Sequence, residues 1–239
     1  MKLDVLVLAA HPDDAELSCS GTILSHIDQG KKVGIVDLTR GEMGTRGTPE
    51  IRMQEAEASS KILGLSAREN LGLEDVHFTV DKEHKLEVVK MIRKYQPEII
   101  LANAISDRHP DHAKGAKLAS EANFMAGLKM IETTSDDGIE QDAWKAKVIY
   151  HYVQNNYIVP DLVVDISPYW EKKLASIKAF KSQFYDPNST EPESFISSAE
   201  FLEFIEARAK EYGHSIGVKY GEGFTVERNI GVSNLFDLI

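Results

Sequence analysis

The chain has 239 residues, 42% of them hydrophobic, enough to bury a sizeable core in one α/β domain spanning 1–239. Its formal net charge of −11 leaves no basic stripe to neutralise phosphates, which excludes non-specific nucleic-acid binding. A single cysteine, Cys19, excludes an internal disulfide and suits a reducing cytosol, and no apolar run approaches the roughly 18 residues of a membrane span.

In chain order, residues 3–10 form the first apolar run. At about eight residues it is too short for a secretory signal with its cleavage site, so it reads as a buried strand. A soluble, cytoplasmic protein with no membrane partner is therefore expected. The run halts at His11, Pro12, Asp13, Asp14 and Glu16, a density of ligand-type side chains that stability alone does not require. A helix is predicted over 14–29, closed by Gly30, and a strand over 33–38. The glycines of "GEMGTRG", 41–47, are spaced unlike either phosphate-binding loop, and no Lys-Ser/Thr pair follows. That stretch reads as a loop over the site. Thr48 as N-cap and Pro49 at the first helical position open a second helix to Leu63, before Gly64. A third helix covers 81–95 and stops at Pro97.

The next strand, 98–103, leads into "SDRHPDHAKG", 106–115, and a helix over 113–131. Residues 132–141 are polar and read as a surface excursion, with a second such loop at 186–194. Strands over 148–153 and 162–167 and helices over 168–184 and 194–212 complete the pattern. The strands are rich in Val, Ile and Leu without clean alternation, as parallel strands covered on both faces are. The predicted class is α/β: a Rossmann-like, mostly parallel sheet with helices on both faces.

Ligands bind outside the carboxyl ends of the strands in such a sheet, where both His-Pro-Asp segments fall. Zinc catalysis takes about three protein ligands and one open position. His11 and Asp14 can converge on one point across a tight turn, with a third ligand from His109 or His112. Asp13 is then an unligated carboxylate placed to act as general base, and the spare histidine can polarise a carbonyl or protonate a leaving group. Taken singly, each segment has an ordinary reading: Asp13 and Asp14 as caps of the first helix, His109 and His112 as members of a polar surface loop. The same tripeptide at two junctions of one kind favours a metal centre. Cys19, between two serines of the first helix, reads as packing, and His26, His77, His84, His151 and His214 are isolated in sequence.

The segments "AHPDDAE" and "DRHPDHAKGAKL" resemble the LmbE-like (PIG-L) family of zinc-dependent N-acetylglucosaminyl deacetylases. "LTRGEMGTRGTPEIRMQEA", 38–56, is similar to the glycine-rich loop after that family's second strand, and "YGEGF", 220–224, to its C-terminal strand region. Overall length and "SQF" at 182–184 are most like the bacillithiol-biosynthesis deacetylases, which act on N-acetylglucosaminyl malate. The resemblance implies one Zn2+ per chain, with Fe2+ or Co2+ as substitutes, held by His11, Asp14 and His112. It makes Asp13 the general base and His109 the support of the oxyanion or leaving amine, oriented by Asp111. Arg52 resembles a substrate-contacting arginine suited to a malate carboxylate; its ordinary reading is a surface arginine paired with Glu55 or Glu57. Glu16, Asp75 and Arg108 complete the expected substrate contacts. Asp75 would meet a sugar hydroxyl, although "LEDVH", 73–77, departs from the Pro-Asp-Gly common there in the family. Family members commonly form homo-oligomers, and one is expected here.

Two other classes fit part of the pattern. A non-heme iron oxygenase also uses two histidines and one carboxylate, but no 2-oxoacid site is visible. A non-catalytic sugar-binding module would use the crevice without needing Asp13 beside a full ligand set. Within the family, an amidase of thiol-sugar conjugates or a deacetylase of another N-acetylglucosamine compound would use the same residues.

Overall fold

The computed structural model describes residues 1–184 and 189–238. Seven strands form one sheet: β1 (Val5–Ala9), β2 (Val33–Thr39), β3 (Ala67–Leu73), β4 (Ile99–Ala102), β5 (Val148–Tyr152), β6 (Leu162–Asp165) and β7 (Gly221–Val226). Their order is β3-β2-β1-β4-β5-β7-β6, and every pairing is parallel except those of β7 with β5 and β6. The helices are α1 (Asp14–Asp28), α2 (Pro49–Leu63), α3 (Lys82–Tyr95), α4 (Pro110–Ala126), α5 (Trp170–Lys178) and α6 (Ala199–Ser215). The expected α/β class, mostly parallel with helices on both faces, is what forms.

The pleat explains why the strands read as unbroken apolar runs. Leu6 and Leu8 of β1 face one way, into a core with Val88 and Ile92 of α3 and Leu118 and Ala122 of α4. Val5, Val7 and Ala9 face the other way, against Ala15, Cys19 and Ile23 of α1. A third cluster joins Trp170 and Ile177 of α5 to Phe201, Ile205 and Ala209 of α6. From β1 the chain winds outward to β2 and β3; from β4 it winds to the opposite edge. The crevice between the carboxyl ends of β1 and β4 is therefore the switch point of the sheet.

Four elements depart from expectation. β3 was not predicted, because "ARENLGL" alternates polar and small residues and only Leu73 is buried, as suits an edge strand paired with β2 alone. α4 starts at Pro110, not 113, since proline fits the first helical position, and it ends before Gly127 rather than at 131. α5 is a short helix after a 3-10 turn (Ser167–Tyr169), ending well before 184, and α6 likewise follows a 3-10 turn at Phe195–Ser197. The polar stretch 132–141 is the surface excursion foreseen, with an isolated bridge between Thr134 and Glu140. Of the predicted loop 186–194, residues 186–188 lie outside the described residues. Among the described residues no helix is long and apolar enough to cross a membrane.

A buried ion pair fastens α1 to the far side of the sheet. The Glu222 carboxylate accepts from Lys173 Nζ at 2.8 Å, from the backbone N–H groups of Gly21 and Thr22, and from Thr22 Oγ1. Lys173 also donates to the carbonyl oxygens of Glu16 and Leu17. Gly21 permits this approach, since a Cβ there would lie 2.7 Å from Ile166. Glu222→Ala would strand a buried ammonium, and the expected loss is about 3–5 kcal/mol of unfolding free energy, read by urea titration. A loss below about 1 kcal/mol, the value of an exposed pair, would mean that the pair does not carry the docking of α1.

Candidate active site

β1 ends at Ala9 and α1 begins at Asp14, so the first His-Pro-Asp segment is the turn that crosses the switch point. Asp13 sits at φ 120° and ψ −24°, a conformation that costs a non-glycine residue of order 1–3 kcal/mol. The turn is closed by Leu17 N–H to the Asp13 carbonyl at 2.9 Å and by Asp14 N–H to the His11 carbonyl at 3.3 Å. The Asp13 side chain does not cap α1. It accepts instead from Arg52 Nη2 at 2.8 Å, and the same nitrogen donates to the Pro12 carbonyl oxygen. Gly41, at φ +66°, makes room for that guanidinium: a Cβ there would lie 2.5 Å from Arg52 Nη1.

Asp14 is the hub. Its Oδ2 accepts from the His11 N–H and from Asn103 Nδ2, both at 3.0 Å, and lies 3.5 Å from His11 Nδ1. Its Oδ1 accepts from Gln154 Nε2 at 3.0 Å and lies 3.1 Å from His112 Nε2. Each histidine is held from behind by carboxylate. His11 Nε2 meets Asp75 at 3.0 Å and Asp111 at 3.3 Å, and His112 Nδ1 meets Asp107 at 2.5 Å. His109 is the N-cap of α4, its Nδ1 accepting from the Asp111 N–H at 3.3 Å. That bond assigns the proton of the neutral ring to Nε2. All of these groups but Asn103 and Asp111 line a cavity of about 370 Å³, with Met43 to Arg46 of the glycine-rich loop and Phe195, Phe201, Phe204 and Arg208 along its wall.

Burial pushes the Asp13 carboxyl up to about 7, against the pull of the Arg52 guanidinium. Burial also opposes charge on Asp14, but His112 and His11 hold its carboxyl well below the usual carboxylate range. His112 is desolvated yet rises to about 9 through the Asp14 charge and the Asp107 hydrogen bond. His11 is likewise raised, despite its burial, by hydrogen bonds that its ring donates to Asp111, Asp14 and Asp75. His109 goes the other way, lowered by burial and by the charges of His11 and His112. Without a cation, then, two histidines gather protons around one carboxylate, and a divalent ion would displace those protons. The donors fit such an ion. Nitrogens of His11, His109 and His112 lie within 4.8 Å of one another, as do donor atoms of His11, Asp75 and Asp111.

Apart from Glu16, the sequence-derived residues are thus brought together, several with partners that spacing did not foresee. Arg52 is buried against Asp13, neither a free carboxylate reader nor a surface partner of Glu55 or Glu57. Glu16 is fully buried, accepting from Ser59 Oγ and Arg68 Nη1, and does not line the cavity. Asp75 lines the cavity and gives one carboxylate oxygen to His11 and the other to the Met43 N–H at 3.0 Å. Asp111 orients His11 with its carboxylate and touches His109 only through its backbone N–H. Arg108 is exposed at the cavity with its guanidinium 4.3 Å over the Phe195 ring. Asn103, Gln154, Asp107 and Arg208 escaped the sequence reading. Asn103 and Gln154 directly follow β4 and lie two residues beyond β5, where the carboxyl-end rule could have found them.

The family model described as PIG-L, GlcNAc-PI de-N-acetylase, matches residues 6–123, which contain both His-Pro-Asp segments. Diacetylchitobiose deacetylase of Thermococcus kodakarensis is 31% identical over 92% of this chain and 81% of its own length. The chain belongs to the PIG-L deacetylase family. It is an enzyme, a hydrolase of the deacetylase class to which the family description and the Thermococcus relative belong. The 4-oxalmesaconate hydratase of Pseudomonas putida is 27% identical over 74% of the chain and 73% of its own length. A probable N-acetyl-α-D-glucosaminyl L-malate deacetylase of Bacillus anthracis is 25% identical over 75% of the chain and 81% of its own length. Among solved structures, a conserved protein of Thermus thermophilus superposes with a TM-score of 0.84 at 34% identity, over 97% of this chain and 98% of that one. The N,N'-diacetylchitobiose deacetylase of Pyrococcus horikoshii follows at 0.76 and 28%, over 93% of this chain and 82% of that one.

Proposed function

We propose that this enzyme is a metal-dependent N-deacetylase that hydrolyses the acetamide of an N-acetylglucosaminyl conjugate, with N-acetylglucosaminyl malate the favoured substrate. The carrying observation is the division of labour at Asp13 and Asp14. One carboxylate is locked between two histidines and two amides, and its neighbour is strained, paired among the described residues with Arg52 alone and open to the cavity. His11, Asp14 and His112 would hold the metal, favoured as Zn2+, with Asp75, Asp111 and Asp107 orienting the two rings from outside. A bound divalent ion supplies Lewis acidity toward the acetamide carbonyl and makes water a better acid.

The protein's own groups account for the proton movements. Asp13, poised near neutral pH, takes a proton from the attacking water as its oxygen bonds to the carbonyl carbon. His109, neutral and protonated at Nε2, donates a hydrogen bond to the oxygen that gains charge. Asp13 then returns the proton to the amine as the C–N bond breaks, leaving acetate. Arg52 keeps Asp13 in its strained position throughout.

Malate as aglycone is supported by the resemblance in length and at Ser182–Gln183–Phe184, and by the Bacillus anthracis relative; the Thermococcus relative is named for a disaccharide. Acetate release from both, under anaerobic conditions, is the direct assay, and it also separates deacetylation from hydration and from oxygenase chemistry. Exhaustive chelation is expected to abolish acetate release while leaving the circular dichroism spectrum and cooperative melting intact, because the cores on both faces of the sheet are apolar and distant from the ligands in role. Adding back Zn2+, Fe2+ or Co2+ then identifies the competent ions. Full activity in protein shown to be metal-free would end this reading.

A further inference from the structure

Two arginines at the cavity have no carboxylate within ion-pair distance among the described residues. Arg46 pairs with Glu191 at 3.4 Å and donates to Ser189, and Arg52 is taken by Asp13. Arg108 and Arg208 have no carboxylate within ion-pair distance among the described residues; the polar contact of Arg208 is the Leu17 carbonyl at 3.5 Å. Both guanidiniums lie instead against rings, Arg108 at 4.3 Å from Phe195 and Arg208 at 5.5 Å from Phe204. Phe201 stands between those rings, 5.6 Å from the first and 6.4 Å from the second. The cavity wall is therefore three phenyl rings with an arginine at each end.

An unpaired arginine here is informative. The chain has 38 acidic residues against 27 basic ones, so a counter-charge is easily supplied wherever a structural pair is needed. Arg208 is only partly exposed, and burial pulls its guanidinium down although Tyr212, Glu222 and Asp107 act in the other direction. Such a charge favours an anion that arrives with the ligand, and a planar guanidinium fork fits a carboxylate bidentately. The acetamide is committed to the histidine and aspartate cluster, so these arginines meet the rest of the substrate. Arg52, the residue expected to read a carboxylate, gives its Nη2 to Asp13.

We infer that Arg208, together with Arg108, forms an anion-accepting subsite for a carboxylate on the aglycone, while the phenyl wall covers an apolar face of the bound conjugate. This deepens the deacetylase reading and rests on it for the placing of the acetamide. Arg208 is a specificity residue: it discriminates among substrates and takes no part in the proton movements.

The test compares metal-loaded wild type, Arg208→Gln and Arg208→Lys on N-acetylglucosaminyl malate, methyl N-acetylglucosaminide and N,N'-diacetylchitobiose. Wild type is expected to favour the malate conjugate in kcat/KM. Arg208→Gln should raise KM for that conjugate about 10- to 100-fold, the range for losing a hydrogen bond to a charged group, with kcat within about twofold. Both neutral substrates should be unaffected, and Arg208→Lys should recover part of the loss. Equal losses on charged and neutral substrates, no loss, or a wild-type preference for the disaccharide would each overturn the subsite. If wild type releases acetate from none of the three, the deacetylase reading fails by itself. Calorimetric binding of the malate conjugate to wild type and Arg208→Gln then decides the subsite alone: weaker binding in the variant supports it, and equal affinity overturns it.

Discussion

Asp13→Asn is expected to lower kcat by about 10²–10⁴-fold, the range of a missing general base, with metal content, KM and melting temperature near wild type. Asparagine matches the carboxylate in size, and its Oδ1 can still accept from Arg52 Nη2, so the buried guanidinium keeps its partner. It also tolerates positive φ better than most residues, which suits the strained turn at φ 120°. What it lacks is a site for the water's proton. Were Asp13 only a helix cap the change would be silent, since asparagine caps well, but its side chain makes no capping bond. Metal analysis, thermal melting and steady-state kinetics on one preparation check the prediction. A kcat close to wild type would sink the general-base assignment.

Much of the sheet and most of the side chains that converge on the cavity were legible because their signals are local. β1, β2, β4 and β5 are apolar on both faces, and Thr48-Pro49 and Gly64 mark the ends of α2 in the chain itself. β3 was not legible, because an edge strand with one neighbour and little burial needs no apolar run. The metal-type donors were read from two tripeptides, but the partners of Asp75, Asp111 and Arg52 were not legible, for one common reason. Each is decided by a partner far along the chain: Asp75 and Asp111 by His11, and Arg52 by Asp13. Spacing shows which side chains can approach a point from one turn, and the sheet alone decides which distant turns arrive there. Glu16 illustrates the same limit, since the helix that carries Asp14 to the crevice turns Glu16 into the interior toward Arg68 and Ser59.

The same substitution one residue on should fail in a different way. Asp14→Asn is expected to weaken metal binding by about 100-fold or more, since changing even an outer partner of a ligand costs about 10- to 100-fold. The geometry leaves no good orientation for an amide. Oδ2 faces the His11 N–H and Asn103 Nδ2, and Oδ1 faces Gln154 Nε2 and His112 Nε2. An asparagine NH2 must therefore point at other donors on one side or the other. Asn103 and Gln154 cannot flip to help: Asn103 Oδ1 accepts from the Ala10 N–H, and Gln154 Oε1 accepts from Asn103 Nδ2 and the Ala104 N–H. Leaving one such buried donor unpaired costs about 1–3 kcal/mol, so the melting temperature should fall as well. Metal affinity measured against a buffered Zn2+ series, beside melting curves of both variants, separates the neighbours: Asp13→Asn keeps metal and loses turnover, whereas Asp14→Asn loses metal first. Should Asp14→Asn bind metal as tightly as wild type, the ion belongs to one of the two sets that converge without Asp14, His11 with His109 and His112 or His11 with Asp75 and Asp111.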